Sequence, residues 1–167
     1  RVAWQADHAK RYLDEAHRRD ALVATVLGDG DPQRLARLLQ RLGEQLSFLR
    51  DRADEDRTEL RDDEVRLSAT KYRFVTALEA VLDIAHHLTA SELWGPADSS
   101  GDAVRLLGAY GVIDQELADR LVRAVGFRDV LVHGDAEVDD DLVVARLDDL
   151  TDLDEFIRAV RAWIMLQ

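Results

Sequence analysis

Between Phe74 and Leu88 the apolar residues Phe74, Val75, Leu78, Val81, Leu82, Ala85 and Leu88 recur at steps of three and four. That period puts them on one wide stripe of an α-helix, whereas a half-buried strand would alternate. A stripe this wide has to be covered from several sides, so the spacing predicts a helix at the centre of a bundle. Two prolines and nine glycines leave room for long helices around it, and 47% hydrophobic residues can supply a core. No alternating pattern longer than the short run Val130 to Val132 competes with helix. The expected fold class is all-α.

The rest of the chain supplies the partners. A weak stripe at Ala6, Ala9, Leu13 and Ala16, then a denser patch at Leu22, Val23, Val26 and Leu27, reads as a helix from Val2 to about Leu27. Gly28 to Pro32 ends it, with Asp31 and Pro32 suited to the cap and first turn of a new helix. The expected organisation is an N-terminal helical extension over 1–29 and a main domain over 30–167. Leu35, Leu38, Leu39, Leu42, Leu46 and Leu49 follow almost as a heptad, which suits packing inside a bundle better than so short a coiled coil. The charged run Arg50 to Asp63 reads as a solvated helix end and connection. Trp94, Gly95 and Pro96 close the central helix. A short helix through Val104, Leu106 and Leu107 comes next, then one capped by Asp114. The last helix or helix pair, after the acidic turn at Asp139 to Asp141, carries Val143, Leu147, Leu150, Leu153, Ile157, Val160 and Ile164. About five helices result.

Composition excludes several functions. The net charge of −12 argues against broad nucleic-acid binding, although a local basic site can still hold one phosphate. Cysteine is absent, so neither a disulfide nor a cysteine-ligated metal holds the fold, in keeping with a cytoplasmic location. No apolar run approaches the roughly 20 residues of a membrane span. The chain begins at Arg1, which suits a fragment or a processed chain. Gly28-Asp29-Gly30 lacks the third glycine of a phosphate loop, and neither a serine elbow nor a His-Glu-x-x-His metal motif occurs. No cofactor and no metal are expected.

The residues that stand out lie in Phe127 to Gly134. Leu117, Leu121, Val125 and Val132 mark an apolar helix face, and Arg128 falls on the same face. An arginine on such a seam has to find an anion or a dense set of acceptors. His133 follows five positions later, about 140° round an ideal helix, so the two side chains diverge unless the last turn frays or tightens at Gly134. A two-fold dimer is the other way to bring them together, with both copies of the pair lining one cleft. Such a pair suits RNA cleavage without a metal. An imidazole exchanges protons near neutral pH, and a guanidinium clamps phosphate. The 2′-hydroxyl would restrict the substrate to RNA. Asp83 and His87 share a helix face at i, i+4 and suit a hydrogen-bonded pair, whereas adjacent His86 and His87 point too far apart to chelate one metal. By spacing alone, structural roles for all these residues stay open.

From about Asp31 to Trp163 the chain resembles the HepT-like ribonuclease toxins of the HEPN superfamily. The matching stretches are Asp31 to Leu35 (DPQRL), Lys71 to Val75 (KYRFV), Ala77 to Leu88 (ALEAVLDIAHHL), Gly111 to Ile113 (GVI), Phe127 to His133 (FRDVLVH) and Glu137 to Asp139 (EVD), in that order. The resemblance implies a homodimeric helical bundle whose Arg-x4-His motifs meet in a cleft between protomers. It implies a metal-independent ribonuclease acting as the toxin of a toxin–antitoxin system. Arg128 would be the phosphate-binding cation and His133 the general acid/base. The implied partner is an MntA-type nucleotidyltransferase antitoxin, either separate or fused N-terminally, in which case residues 1–29 would be its tail.

Two positions depart from the family pattern. The residue after the arginine is often asparagine there and is Asp129 here. The family continues as His-x-Tyr, the tyrosine being the residue that the antitoxin AMPylates, and Asp135 stands in its place. Either neutralisation takes another route, such as tight protein binding, or the ribonuclease is weakened, or Asp135 partly mimics the modified state. The alternative function is therefore a catalytically weakened HEPN module that docks to a nucleotidyltransferase or binds a nucleotide.

Overall fold

The computed structural model describes residues 31–133 and 138–167, and these form seven α-helices and one 3-10 turn, with no strand among them. The elements are α1 (Asp31–Ala53), α2 (Arg57–Asp62), α3 (Glu64–Ser91), α4 (Ser100–Ala109), α5 (Gln115–His133), α6 (Asp140–Ala145), the 3-10 turn Arg146–Asp149 and α7 (Thr151–Met165). The all-α expectation holds. The helices of ten residues or more are the five at α1, α3, α4, α5 and α7; the six-residue α2 is an addition, and the six-residue α6 makes with α7 the C-terminal pair that the sequence allowed. The expected extension over 1–29 lies outside the described residues, as do Gly134 and Asp135.

Helix α3 is the axis of the bundle. Its buried residues Leu67, Phe74, Leu78, Val81, Ile84, Ala85 and Leu88 wrap round most of the helix, and α1, α4, α5 and α6 all pack against it. The leucine row of α1 meets α3 directly, with Leu35, Leu39, Leu42, Leu46 and Leu49 buried in the shared core, so the near-heptad serves the bundle. Between them Gln45 is buried at 7% exposure and accepts hydrogen bonds from Thr76 Oγ1 and Arg73 Nη1, both at 3.0 Å. A buried amide needs such partners to avoid a desolvation cost.

The acidic run after α1 is more structured than a solvated connection. Asp56 accepts from the backbone N–H groups of Thr58 and Glu59 at 2.9 and 3.0 Å and so starts α2, whose Leu60 is fully buried. Asp63 then caps α3 through the Arg66 N–H at 3.0 Å. Two carboxylates of that run, Asp56 and Asp63, are helix caps, which satisfy donors that the first turn leaves unpaired.

Past α3, Leu93 lies at φ +60° and Gly95 at φ +99°, and Trp94 turns back to stack on Tyr110 with ring centres 4.4 Å apart. Trp163 of α7 meets Trp94 edge-on. Gly111, at φ +75°, makes the turn from α4 toward α5 with a backbone that other residues adopt only at a cost. Asp114 caps α5 as expected, accepting from the Leu117 N–H at 2.7 Å. Leu117, Leu121 and Val125 are buried, but Val132 is 44% exposed, contrary to its predicted place on the apolar face. Val130 is also exposed, because the last turn of α5 runs past the core that its earlier turns cover.

The C-terminal helix pair closes the bundle. Val143, Leu147, Leu150, Leu153, Ile157 and Val160 are buried as predicted, joined by the fully buried Phe156, whereas Ile164 is 38% exposed at the chain end. Lys71 with Asp140 at 2.6 Å and Arg61 with Asp141 at 3.1 Å fasten α6 to α3 and α2. Arg120 fastens α5 to α7 through Asp152 and Glu155, both at 2.8 Å. No helix among the described residues is long and apolar enough to cross a membrane.

Candidate active site at the end of helix α5

Arg128 sits on the α5 seam where it faces α3, with a side chain only 22% exposed. Beneath it Phe127 is buried and meets Phe74 of α3 edge-to-face, ring centres 5.8 Å apart, which fixes this turn of α5 against the central helix. The guanidinium has found the anions its position demands. Its Nη2 donates to Glu79 Oε1 at 3.0 Å and its Nη1 to Asp129 Oδ1 at 2.8 Å. The bond to Asp129, reinforced by Glu79 and opposed by partial burial, holds the guanidinium above its already high ordinary pKa. It is a permanent cation. Its Nε is buried without a hydrogen-bond partner among the described residues, so one donor of the fork remains available.

Glu79 was not among the residues that the sequence singled out for a site. The signal was present, because Glu79 interrupts the apolar stripe of α3 just as Arg128 interrupts that of α5. Asp83 and His87 lie one and two turns further along α3, Asp83 exposed and His87 half-buried. Among the described residues no group of three His, Asp or Glu is placed to hold a metal ion.

His133 is exposed and is the last residue of α5. The helix continues regularly through it, so the frayed or tightened turn that would re-aim its imidazole toward Arg128 does not occur. At about 100° per residue the two side chains leave α5 in directions about 140° apart. A single chain thus brings together Arg128, Asp129 and Glu79, and leaves His133 on a separate face beside the exposed Val130 and Val132. Asp135 lies outside the described residues.

What this arrangement can do chemically is hold an oxyanion at Arg128, provided that a carboxylate gives way, and exchange a proton at His133. The ribonuclease HepT-like family model matches this chain over residues 38–160, which include every residue of the site. The mRNA nuclease HepT of Shewanella oneidensis is 36% identical over 85 residues, covering 50% of this chain and 64% of that protein. The match therefore spans just under two thirds of that curated relative. A solved toxin–antitoxin structure with AMP-PNP superposes with a TM-score of 0.71 at 26% identity, covering 77% of this chain and 97% of that one. A tri-AMPylated Shewanella oneidensis HEPN toxin in complex with an MNT antitoxin is equally similar, with a TM-score of 0.71, 26% identity, and coverage of 77% and 96%.

Proposed function

The chain belongs to the ribonuclease HepT-like family, and on that premise we propose that it is the toxin of a toxin–antitoxin pair, an RNA endonuclease that works without a metal through Arg128 and His133. The observation that carries this is the half-buried Arg128, held on the helix seam inside the matched segment with a cation that no pH change will remove. In the proposed reaction an imidazole takes the proton of a 2′-hydroxyl and the freed oxygen attacks the neighbouring phosphorus. The P–O5′ bond breaks as the 5′-oxygen takes a proton from an imidazolium, a 2′,3′-cyclic phosphate remains, and Arg128 stabilises the charge that develops on the phosphate. Because α5 sends Arg128 and His133 in different directions, the working site needs a second copy of the chain. Val130 and Val132, at 50% and 44% exposure beside His133, offer the apolar surface that such a homodimer would cover. Residues 30–167 form the HepT-like domain in this scheme and 1–29 an N-terminal extension.

The partner that fits is an MntA-type nucleotidyltransferase, since the similar HEPN toxin is found with an MNT antitoxin. Asp135 offers no phenolic hydroxyl for AMPylation, so neutralisation here is proposed to rest on tight binding of the antitoxin. The test is direct. Purified protein should cut single-stranded RNA in EDTA, and His133→Ala should abolish the cutting; equal activity in that variant sinks the assignment. A second reading is a weakened HEPN module that binds without cutting, favoured by the two carboxylates on Arg128. It predicts that neither the wild-type protein nor Asp129→Asn cleaves RNA while both still bind the nucleotidyltransferase.

A further inference from the structure

A cavity of about 210 Å³ opens between α3, α5, the 3-10 turn and α7, one helical turn from Arg128. Its floor is apolar and partly aromatic, with Phe74, Leu78, Phe127 and Leu153 among the lining side chains. Its lining also carries three arginines, Arg120, Arg123 and Arg146, against two aspartates, Asp149 and Asp152, in a chain whose net charge is −12. Arg120 is committed to Asp152 and Glu155, but the other two arginines are not held in this way. Arg123 is exposed and makes no ion pair among the described residues. The Arg146 guanidinium lies over the Phe127 ring at 5.3 Å from its centre, makes one long ion pair of 3.5 Å with Asp149, and has its Nε buried without a hydrogen-bond partner among the described residues. A buried donor of this kind calls for an acceptor.

We propose that this cavity is a nucleobase subsite, which takes one unstacked base of the RNA strand whose scissile phosphate sits at Arg128. The volume suits a single flat ring system and falls below the roughly 300–1,000 Å³ of pockets for drug-sized ligands. Aromatic rings and arginine planes are the surfaces on which proteins stack single-stranded bases. The partly exposed Arg146 guanidinium supplies a plane and donors to a base, and Asp149 an acceptor beside it. Arg123, at the mouth and five residues before Arg128, is placed to follow the phosphate backbone, about 7.5 Å along the helix axis. The overall acidity of the chain limits non-specific attraction, so a strand would be held by this local pair of features.

The subsite depends on the ribonuclease activity proposed above, and the experiment separates the two. A random-sequence single-stranded RNA pool is cut by the wild-type protein, by Ala124→Trp, which fills the cavity, and by Arg123→Gln, which alters only an exposed side chain. The wild-type ends should show a base preference at one position near the cut. Both variants should flatten it at least fivefold and raise KM, while the remaining cleavage still requires His133. Wild-type cutting without a base preference, or the same preference in both variants, overturns the subsite and leaves the ribonuclease standing. If the wild-type protein does not cut RNA, the ribonuclease proposal falls. The subsite is then decided by NMR titration with the four 5′-mononucleotides. Saturable shifts around Phe127 that vanish in Ala124→Trp uphold it, and their absence removes it.

Discussion

Replacing Asp129 with asparagine tests how strongly Arg128 is held in check. Arg128 donates to Asp129 at 2.8 Å, and the Asp129 side chain is 53% exposed. Unit charges about 4 Å apart attract by about 1 kcal/mol in water and about 4 kcal/mol at an effective dielectric near 20. Half-exposed pairs fall at the lower end once screening and side-chain entropy are counted, so about 1 kcal/mol is the reasonable figure. A phosphate arriving at Arg128 has to displace that bond, and it feels repulsion from the same carboxylate. Asp129→Asn removes both while keeping the size of the side chain. RNA binding should therefore tighten by about 1 kcal/mol, or about fivefold in Kd. The assay is fluorescence anisotropy on a short single-stranded RNA, with His133→Ala as background so that the strand stays intact. The gain should be clear at about 50 mM salt and shrink at about 500 mM, where charges more than a few ångströms apart are screened. Unchanged or weaker binding at low salt would refute the view that Arg128 is an anion site restrained by its carboxylates.

Two further outcomes concern the scaffold. Leu60→Ala should cost about 2–5 kcal/mol in urea unfolding, because it empties a fully buried position, the one buried residue of a six-residue helix; a loss below about 1 kcal/mol would mean that α2 is not part of the cooperative core. Hydrogen bonding with Ser99, followed by Arg105, holds the Asp102 carboxyl below its ordinary pKa. A depressed carboxyl contributes stability that is fully present above the unfolded value of about 3.9 and is lost as pH falls through the lower folded value. Ser99→Ala should move the Asp102 titration upward when followed by carboxyl-carbon NMR, and an unmoved midpoint contradicts the assigned cause.

The gaps between sequence and structure have identifiable causes. Leu60 is one apolar residue among charges and makes no period of its own, so its burial depends on the caps at Asp56 and Asp63 and on the helix packed over it. Val132 continues the α5 stripe in sequence, yet the core ends before the helix does. Arg128 could be identified as an arginine in need of an anion, but its partner Glu79 lies 49 residues away on another helix. The place of Glu79 among the apolar residues of α3 marked it as a candidate, but local spacing does not say which helix faces which. The arginine-lined cavity was likewise beyond the sequence, since its walls come from three parts of the chain.

Taken alone, the sequence determined the class of fold, the central place of the helix around Phe74 to Leu88, the leucine row that packs on it, and Arg128 with His133 as the pair to watch. Period and capping are local properties, set by 3.6 residues per turn and by the donors that a helix end leaves open. Tertiary structure decided the rest. It put Glu79 and Asp129 on the guanidinium, carried α5 unbroken through His133, and so left arginine and imidazole on different faces of the helix. Which charges meet depends on how helices pack, and packing is decided by the whole buried surface rather than by the spacing of residues along any one helix.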